Sequence, residues 1–167
     1  MTSDGLLARL AELGIPATTV EHPPVFTVEE ARRVRGDLPG TYTKSLFLRD
    51  KKGAMWMVVC LEDRAVDLKD LALRIGAKHL SFGSPERLLC HLGVIPGAVS
   101  PFAVVNDRER VVQVVLDRAV LARDPVNLHP LDNGKTTAIG AADLVRFLEA
   151  EGHGPQVIDL EPGAGSL

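Results

Sequence analysis

The chain has 167 residues, of which 46% are hydrophobic and 25% are charged, and its formal net charge is −3. This length predicts one domain with its own core, and the balance of residue types excludes a mainly disordered chain. The negative charge argues against broad binding to nucleic acid, although a local contact with a nucleic-acid end stays open. No apolar run reaches the roughly 18 residues of a membrane span, so a membrane is not an expected partner. Because of the negative charge, DNA is not an expected partner either.

The N-terminal segment and the two cysteines predict a cytoplasmic protein. Residues 1–14 have the amphipathic pattern of a helix rather than a basic segment followed by an apolar run, so no secretory signal is expected. Cys60 and Cys90 both stand in apolar surroundings, which predicts two buried thiols rather than a disulfide. Unpaired buried thiols are typical of the reducing cytoplasm.

Helix caps, turn residues and the spacing of apolar side chains predict an alternation of helices and strands. The N-terminal part is predicted to form a helix over residues 4–13, a strand over 18–21, a short helix over about 28–35, and a hairpin of strands over 41–49 and 54–61. The remainder is predicted to form a helix between Asp67 and Gly76, a strand near 79–82, a helix between Ser84 and Leu92, strands over about 102–106, 111–116, 125–131 and 133–139, a helix over about 141–150, and a strand over 157–160.

This order of elements predicts an α+β fold. Helices and hairpins interleave without a regular βαβ rhythm, which favours a mixed, mostly antiparallel sheet with helices packed on its faces. The strand over 54–61 is apolar on both faces and should lie in the middle of the sheet. A single compact domain is expected over residues 1–160, followed by a flexible tail over 161–167.

The common enzyme signatures are missing from the sequence. It contains no GxSxG elbow, no phosphate-binding Walker loop, no GxGxxG and no HExxH. Cys90 and His91 have no CxxC partner, so neither a metal nor another cofactor is predicted.

Lys44 is the first candidate site residue because it lies in the middle of a predicted strand. Strand side chains alternate, so Lys44 shares a face with Leu46 and Leu48. A lysine on a partly apolar face is costly unless it has an anionic partner. The alternative is a lysine whose aliphatic stem packs on the sheet while its ammonium reaches water, and the sequence leaves both open.

The second candidate is the loop over residues 93–101, which ends in Gly97-Ala98-Val99-Ser100-Pro101. Backbone N–H groups of such a loop can hold a carbonyl oxygen or an oxyanion. Gly97 would then be needed for a positive φ angle or for close approach to a ligand. A simple connector between two elements is the commoner fate of a Gly- and Pro-rich loop.

His129 is the third candidate. It precedes Pro130, which restricts its backbone to an extended conformation, and polar neighbours can orient its ring. A structural histidine in a turn explains the same pattern and is favoured when the residue is taken alone. His22 also precedes a proline and is a weaker candidate of the same kind.

Three segments together resemble the YbaK-type aminoacyl-tRNA deacylases and the editing insertion of bacterial prolyl-tRNA synthetase. The segments are Thr43–Gly53, the Gly97-x-x-x-Pro101 loop, and His129-Pro130 followed by Thr136–Ile139. The likeness covers nearly the whole chain. It implies a compact α+β domain that hydrolyses the ester between a wrongly attached amino acid, chiefly alanine, and tRNA(Pro).

The resemblance also implies roles for individual residues. The lysine matching Lys44 binds the tRNA 3′ end, and the histidine matching His129 lines the amino-acid pocket. The loop matching Gly97–Pro101 holds the aminoacyl group through its backbone, with Gly97 as a catalytic position and with substrate contacts at Ala98, Val99, Ser100 and Pro101. Family members use no metal or cofactor, since the 2′-hydroxyl of the terminal adenosine and a positioned water act instead. Ser45 is a further substrate contact and stands where the family often has Asn, so selectivity can differ.

The implied partner is the acceptor end of tRNA(Pro) carrying a small amino acid, with a transient association with prolyl-tRNA synthetase as a further option. The predicted short helix bears Arg32, Arg33 and Arg35, which are candidates for contact with the acceptor stem. More often, such a cluster of arginines forms a solvent-exposed helix face without a partner. Two alternative functions stay open: a related deacylase for Cys- or Ser-tRNA, and a non-catalytic module that binds an aminoacyl or nucleotide end.

Overall fold

One mixed sheet of eight strands runs through the part of the chain that the computed structural model describes, which comprises residues 1–24, 27, 29, 30, 33 and 39–160. The strands are β1 (Ala17–Glu21), β2 (Thr41–Arg49), β3 (Met55–Leu61), β4 (Ser81–Phe82), β5 (Val112–Asp117), β6 (Val126–Leu128), β7 (Lys135–Ile139) and β8 (Gln156–Ile158). The α-helices are α1 (Ser3–Glu12), α2 (Leu68–Ile75), α3 (Pro85–Leu92) and α4 (Ala141–Ala150). Short 3₁₀ helices cover Pro96–Ala98, Pro101–Asn106 and Arg118–Leu121.

The strand order is β1-β7-β6-β2-β3-β5-β8, and β4 also pairs with β2. Pairing is antiparallel for β1–β7, β6–β7, β2–β3 and β2–β4, and parallel for β2–β6, β3–β5 and β5–β8. The mixed sheet with helices beside it confirms the predicted fold class.

Two hydrophobic clusters lie on opposite faces of β3, which explains its unbroken apolar sequence. Met57 and Val59 belong to the larger cluster, which α1, α3 and α4 cover, whereas Trp56 and Val58 belong to the smaller one, which α2 covers through Leu71. Because successive side chains of a strand point to opposite faces, only a strand with both faces buried can carry such a run.

Strand β2 has one edge that is only partly paired. Strand β3 lies along the other edge from Thr43 to Arg49. On the partly paired edge, β6 pairs with Thr41 and Tyr42, and β4 pairs with Leu48 and Arg49. Lys44, Ser45 and Leu46 therefore have a strand partner only on the β3 side, and we call these three residues the open stretch of β2.

The structure corrects two expectations from the sequence. The strand predicted over 102–106 is wrong, because Pro101 opens a 3₁₀ helix in which the Ala103 amide donates to the Ser100 carbonyl at 3.0 Å. Residues 101–104 are all buried, and such an apolar run occurs in buried helical turns as well as in buried strands. Cys60 is buried as predicted, but Cys90 is exposed, since α3 turns Leu88 and Leu92 toward the core instead.

Two predicted segments fall mainly outside the described residues. These are the short helix over 28–35, of which the structure describes residues 29, 30 and 33, and the tail over 161–167. None of the described helices has both the length and the apolar character that crossing a membrane requires.

Gly83→Ala should destabilise the fold, because its new Cβ would lie 2.4 Å from the Phe47 ring. Phe47 belongs to the larger cluster and is 5% exposed, so its ring has little room to move, and the free energy of unfolding should fall by about 1–3 kcal/mol. Urea denaturation measures this change. Gly154→Ala is the matched control, since its Cβ would have no neighbour closer than 3.9 Å. Equal denaturation midpoints for the two variants would contradict the packing described here.

Candidate active site

A hydrogen bond joins two of the segments that the sequence singles out. The Ser100 hydroxyl donates to the backbone carbonyl of His129 at 2.6 Å, across 29 residues of sequence. Ser100 is only 1% exposed. His129 directly follows β6, at the point where this strand leaves the edge of β2. The 97–101 loop and His129 therefore lie together, next to the end of β6.

The ring of His129 is held by the backbone of β7. Its Nδ1 lies 2.8 Å from the Lys135 carbonyl, which can only accept, so Nδ1 carries the proton. Burial lowers the pKa of His129, and the nearby His22 lowers it further, against opposing effects of the Lys135 carbonyl and Asp132. Above its ordinary value of 6.5 the ring is therefore neutral, and Nε2 offers a lone pair to a ligand.

His22 is closer to this site than its sequence suggested. Its Nε2 lies 2.7 Å from the Thr136 hydroxyl, and its ring centroid lies 6.2 Å from that of His129. The antiparallel pairing of β1 with β7 brings the two histidines together. The only signal in the sequence is that both precede a proline, and it does not reveal this pairing.

The 97–101 loop offers free backbone donors. Its first part is a 3₁₀ helix, Pro96–Ala98, and Ala98 and Pro101 are buried. Within the described part of the chain, the amides of Gly97, Val99 and Ser100 have no hydrogen-bond acceptor. The expectation of a positive φ at Gly97 is wrong, because this residue adopts the 3₁₀ conformation. If the site requires glycine at position 97, the reason is the space that a Cβ atom would occupy.

Within the described part of the chain, the backbone amide and carbonyl of Ser45 have no hydrogen-bond partner. The Tyr42 carbonyl accepts from Glu62 on the β3 side, while the Phe47 carbonyl accepts from Gly83 on the other side. Backbone polar groups alternate between the two edges of a strand, so those of Ser45 point the same way as those of Phe47. The amide and carbonyl of Ser45 therefore face the unpaired edge of the open stretch.

Lys44 is half-buried on β2, directly across from Cys60. Its ammonium donates to the backbone carbonyl of Arg64 at 2.5 Å. Among the described residues, no carboxylate lies within 4.0 Å of the ammonium. Burial raises the pKa of the Cys60 thiol to about 11, so this neighbour is uncharged at neutral pH. With respect to the described residues, Lys44 thus has no counter-ion, and two of its three N–H donors have no acceptor.

Lys44 and His129 lie at the same level of the sheet. Tyr42 and Asn127 form a registered parallel pair, and Lys44 and His129 each follow two residues later. The two strands separate at this point, where the Thr43 hydroxyl still donates to the Asn127 carbonyl at 3.0 Å. The arrangement can hold an anion at Lys44 and a carbonyl oxygen at the loop amides.

The structure describes one of the three arginines of the predicted basic face. Arg33 is exposed, whereas Arg32 and Arg35 lie outside the described residues, so this contact surface stays a prediction. Among the described residues, no group of three or more His, Cys, Asp or Glu side chains is placed to hold a metal ion.

Comparisons with known proteins agree with the resemblance. The family model described as "Aminoacyl-tRNA editing domain" matches residues 22–147. The chain is 40% identical to the prolyl-tRNA editing protein ProX of Acetoanaerobium sticklandii, over 93% of this chain and 95% of that protein. It is 25% identical to the multifunctional Ser/Thr-tRNA deacylase ProXp-y of Escherichia coli, over 90% of each chain. A crystal structure described as a putative trans-editing enzyme for prolyl-tRNA synthetase has the same fold, with a TM-score of 0.73, 22% identity, and coverage of 95% of this chain and 96% of that one.

The lowered pKa of His129 predicts a pH-dependent contribution to stability. A histidine that is harder to protonate when folded favours the unfolded state in acid, so full stability holds above pH 6.5 and declines as the pH falls through the folded pKa. His129→Gln should remove this part of the decline. NMR titration of the imidazole, with urea denaturation of both proteins between pH 5 and 8, measures the two effects. A midpoint above 6.5 for His129 would contradict this assignment.

Proposed function

This chain belongs to the aminoacyl-tRNA editing domain family, and we propose that it removes a small amino acid, chiefly alanine, from wrongly charged tRNA(Pro). Its activity is that of an aminoacyl-tRNA deacylase, which hydrolyses the ester between amino acid and tRNA. The relative named as a prolyl-tRNA editing protein supports tRNA(Pro) as the substrate, because the two sequences align over nearly their whole lengths.

The physical need for such an enzyme follows from the limits of binding specificity. A synthetase pocket that fits proline also admits the smaller alanine, because each missing methylene weakens binding by only about 1–3 kcal/mol. A second site that accepts only small side chains restores accuracy. We propose that the half-buried Val99 and the backbone of the Gly97–Pro101 loop form the close walls of such a pocket.

The hydrogen bond from Ser100 to the His129 carbonyl is the observation that carries the proposal. This bond holds the 97–101 loop beside His129, which follows the end of the pairing between β6 and β2. The amides of Gly97, Val99 and Ser100 can then hold the carbonyl oxygen of the aminoacyl ester. The Nε2 of His129 is available to contact the amino acid or a water.

Lys44 is proposed to bind a phosphate at the tRNA 3′ end. Its ammonium has a neutral carbonyl as its partner and no carboxylate beside it within the described residues, so its charge remains available to an anion. A charge-assisted hydrogen bond to phosphate is the strongest single contact that this site offers.

The chemistry is proposed to use the hydroxyl of the substrate rather than one of the protein. Ser100 donates its proton to a carbonyl and is buried, which makes it a poor nucleophile. A water oriented by the 2′-hydroxyl of the terminal adenosine attacks the ester carbon, the bond to the 3′ oxygen breaks, and that oxygen takes up a proton. The products are the free amino acid and the uncharged tRNA, and we propose no metal or cofactor.

A second candidate substrate class is Ser- or Cys-tRNA. The relative named as a Ser/Thr-tRNA deacylase shares the fold family at 25% identity, and Ser45 replaces the Asn that the family often has. The names of the relatives favour catalysis over a non-catalytic binding module.

The proposal has three further parts. The protein acts in the cytoplasm, it contacts prolyl-tRNA synthetase transiently, and it contacts the acceptor stem through Arg32, Arg33 and Arg35.

Deacylation of Ala-, Cys-, Ser- and Pro-tRNA(Pro) by the purified protein tests the proposal. Ala-tRNA(Pro) should lose its ester fastest, and Lys44→Ala should lower kcat/KM roughly tenfold or more, because a charge-assisted contact to phosphate is lost. Lys52→Ala is the matched control, since this exposed lysine lies in the turn at the far end of β2. Preference for Ser- or Cys-tRNA would support the second candidate, and near-wild-type turnover by a folded Lys44→Ala protein would refute the role of this lysine.

Gly97→Ala and Ser100→Ala separate backbone from side-chain chemistry in the loop. A Cβ at Gly97 would crowd a pocket sized for alanine and displace the amide donors, so the rate should fall by about 10²–10³, the usual effect of losing one oxyanion donor. Ser100→Ala should lose far less activity and trap no acyl-enzyme. Rapid-quench deacylation with mass spectrometry measures both. An acylated Ser100, or an inactive Ser100→Ala beside an active Gly97→Ala, would mean a serine-nucleophile enzyme.

A further inference from the structure

The chain folds back beside Lys44 immediately after β3. The Glu62 amide donates to the Tyr42 carbonyl at 3.0 Å, and the Arg64 amide donates to the Leu61 carbonyl at 3.0 Å. This tight turn brings the backbone carbonyl of Arg64 to the ammonium of Lys44. Thus the orientation of the lysine depends on where the turn over residues 61–64 lies.

The side chain of Arg64 ties this turn to the middle of the sheet. Its Nε donates to the Asp117 carboxylate at 3.2 Å, and the Asp117 side chain is 0% exposed. Asp117 is the last residue of β5, and its other carboxylate oxygen accepts from the amides of Ala119 at 3.2 Å and Leu160 at 3.4 Å. The carboxylate is thus fixed by backbone donors and provides a rigid attachment point for Arg64.

The charges of this cluster explain why the attachment is firm. A buried carboxylate is costly without a cation beside it, and among the described residues Arg64 is the cation that lies within ion-pair distance of Asp117. Cys60 lies directly across from Lys44 in the β2–β3 ladder. Burial raises the pKa of its thiol to about 11, so at neutral pH Cys60 contributes no charge to this cluster.

We propose that Arg64 and Asp117 are positioning residues for Lys44, an inference that rests on the proposed function of that lysine. A lysine side chain has four flexible bonds and loses much conformational freedom when it is held in one place. The Asp117–Arg64 ion pair fixes the carbonyl that holds the Lys44 ammonium ready for phosphate. Neither positioning residue touches the substrate.

Steady-state deacylation of Ala-tRNA(Pro) by Arg64→Met, Lys44→Ala and the double variant tests this role. Arg64→Met should lower kcat/KM about tenfold, as expected for loss of one well-placed charged contact. The decrease in kcat and the increase in KM should be in the same proportion as in Lys44→Ala. In the Lys44→Ala background, Arg64→Met should change the rate less than about twofold, because coupled residues are non-additive. Losses that multiply would overturn the proposal, as would wild-type activity of Arg64→Met.

Arg74→Met is the matched control. Arg74 also forms an ion pair, with Asp70 at 2.8 Å, and also donates to a backbone carbonyl, that of Asp159, but it lies on α2 without a contact to Lys44. This variant should keep wild-type kinetics. Arg64→Lys guards against a general loss of folding, because it leaves Asp117 with a cation and should restore more activity than Arg64→Met at equal thermal stability. Equal loss in Arg64→Lys and Arg64→Met, with both folded, would count against a positioning role.

NMR of the lysine ammonium groups gives a readout that does not depend on activity. An ammonium held by a carbonyl exchanges its protons slowly, so wild-type protein should show a Lys44 signal that Lys44→Arg lacks. Arg64→Met should lose this signal and Arg74→Met should keep it. If wild-type protein deacylates no aminoacyl-tRNA, the proposed function fails, whereas persistence of the signal in Arg64→Met refutes the positioning role independently.

Discussion

The separation of β6 and β4 along one edge of β2 is the constraint on which the candidate site depends. A continuous ladder on that edge would consume the backbone groups of Ser45 and leave no space beside Lys44. Because β6 departs after Tyr42 and β4 arrives only at Leu48, the middle of β2 carries backbone polar groups that no described strand pairs with on this edge. Buried backbone groups normally find partners, so a gap of this kind, beside a loop with free amides, is suited to a polar ligand.

The two charged side chains Asp117 and Lys44 differ in whether an oppositely charged group lies beside them. Asp117 is buried and has Arg64 as its counter-ion, whereas Lys44 has only a neutral carbonyl among its described contacts. The same turn supplies both the counter-ion and the carbonyl. Among the described residues, one short segment after β3 therefore neutralises Asp117 without neutralising Lys44, so the proposed phosphate contact is compatible with the net charge of −3 of the chain.

Local signals in the sequence were sufficient for most of the fold. The hairpin of β2 and β3, the central position of β3 and the capped helices follow from alternation, apolar runs and cap residues that lie within a few positions of each other. The 3₁₀ helix that replaces the predicted strand over 102–106 was missed because its residues are apolar enough for either structure, and Pro101 decides between them. The exposed Cys90 was missed because only the packing of α3 determines its face.

The site was less predictable, because its contacts join distant parts of the chain. Lys44, the loop and His129 were identified by residue type and family resemblance, but the bond between Ser100 and His129 spans 29 residues. The contact of His22 with Thr136 and the ion pair of Arg64 with Asp117 also depend on strand order. No periodicity or local motif encodes such pairings, so they had to come from the structure.

The open stretch also sets a length scale for what can bind there. Three residues of extended chain span about 10 Å, and β6 and β4 close both ends of the gap. Because β6 and β4 occupy this edge on both sides of the open stretch, it offers no long unpaired run that a strand of another molecule could join. The register of β6 and β4 on β2 thus determines the length of the open stretch, and a shift of either pairing by one residue would change this length by about 3.3 Å.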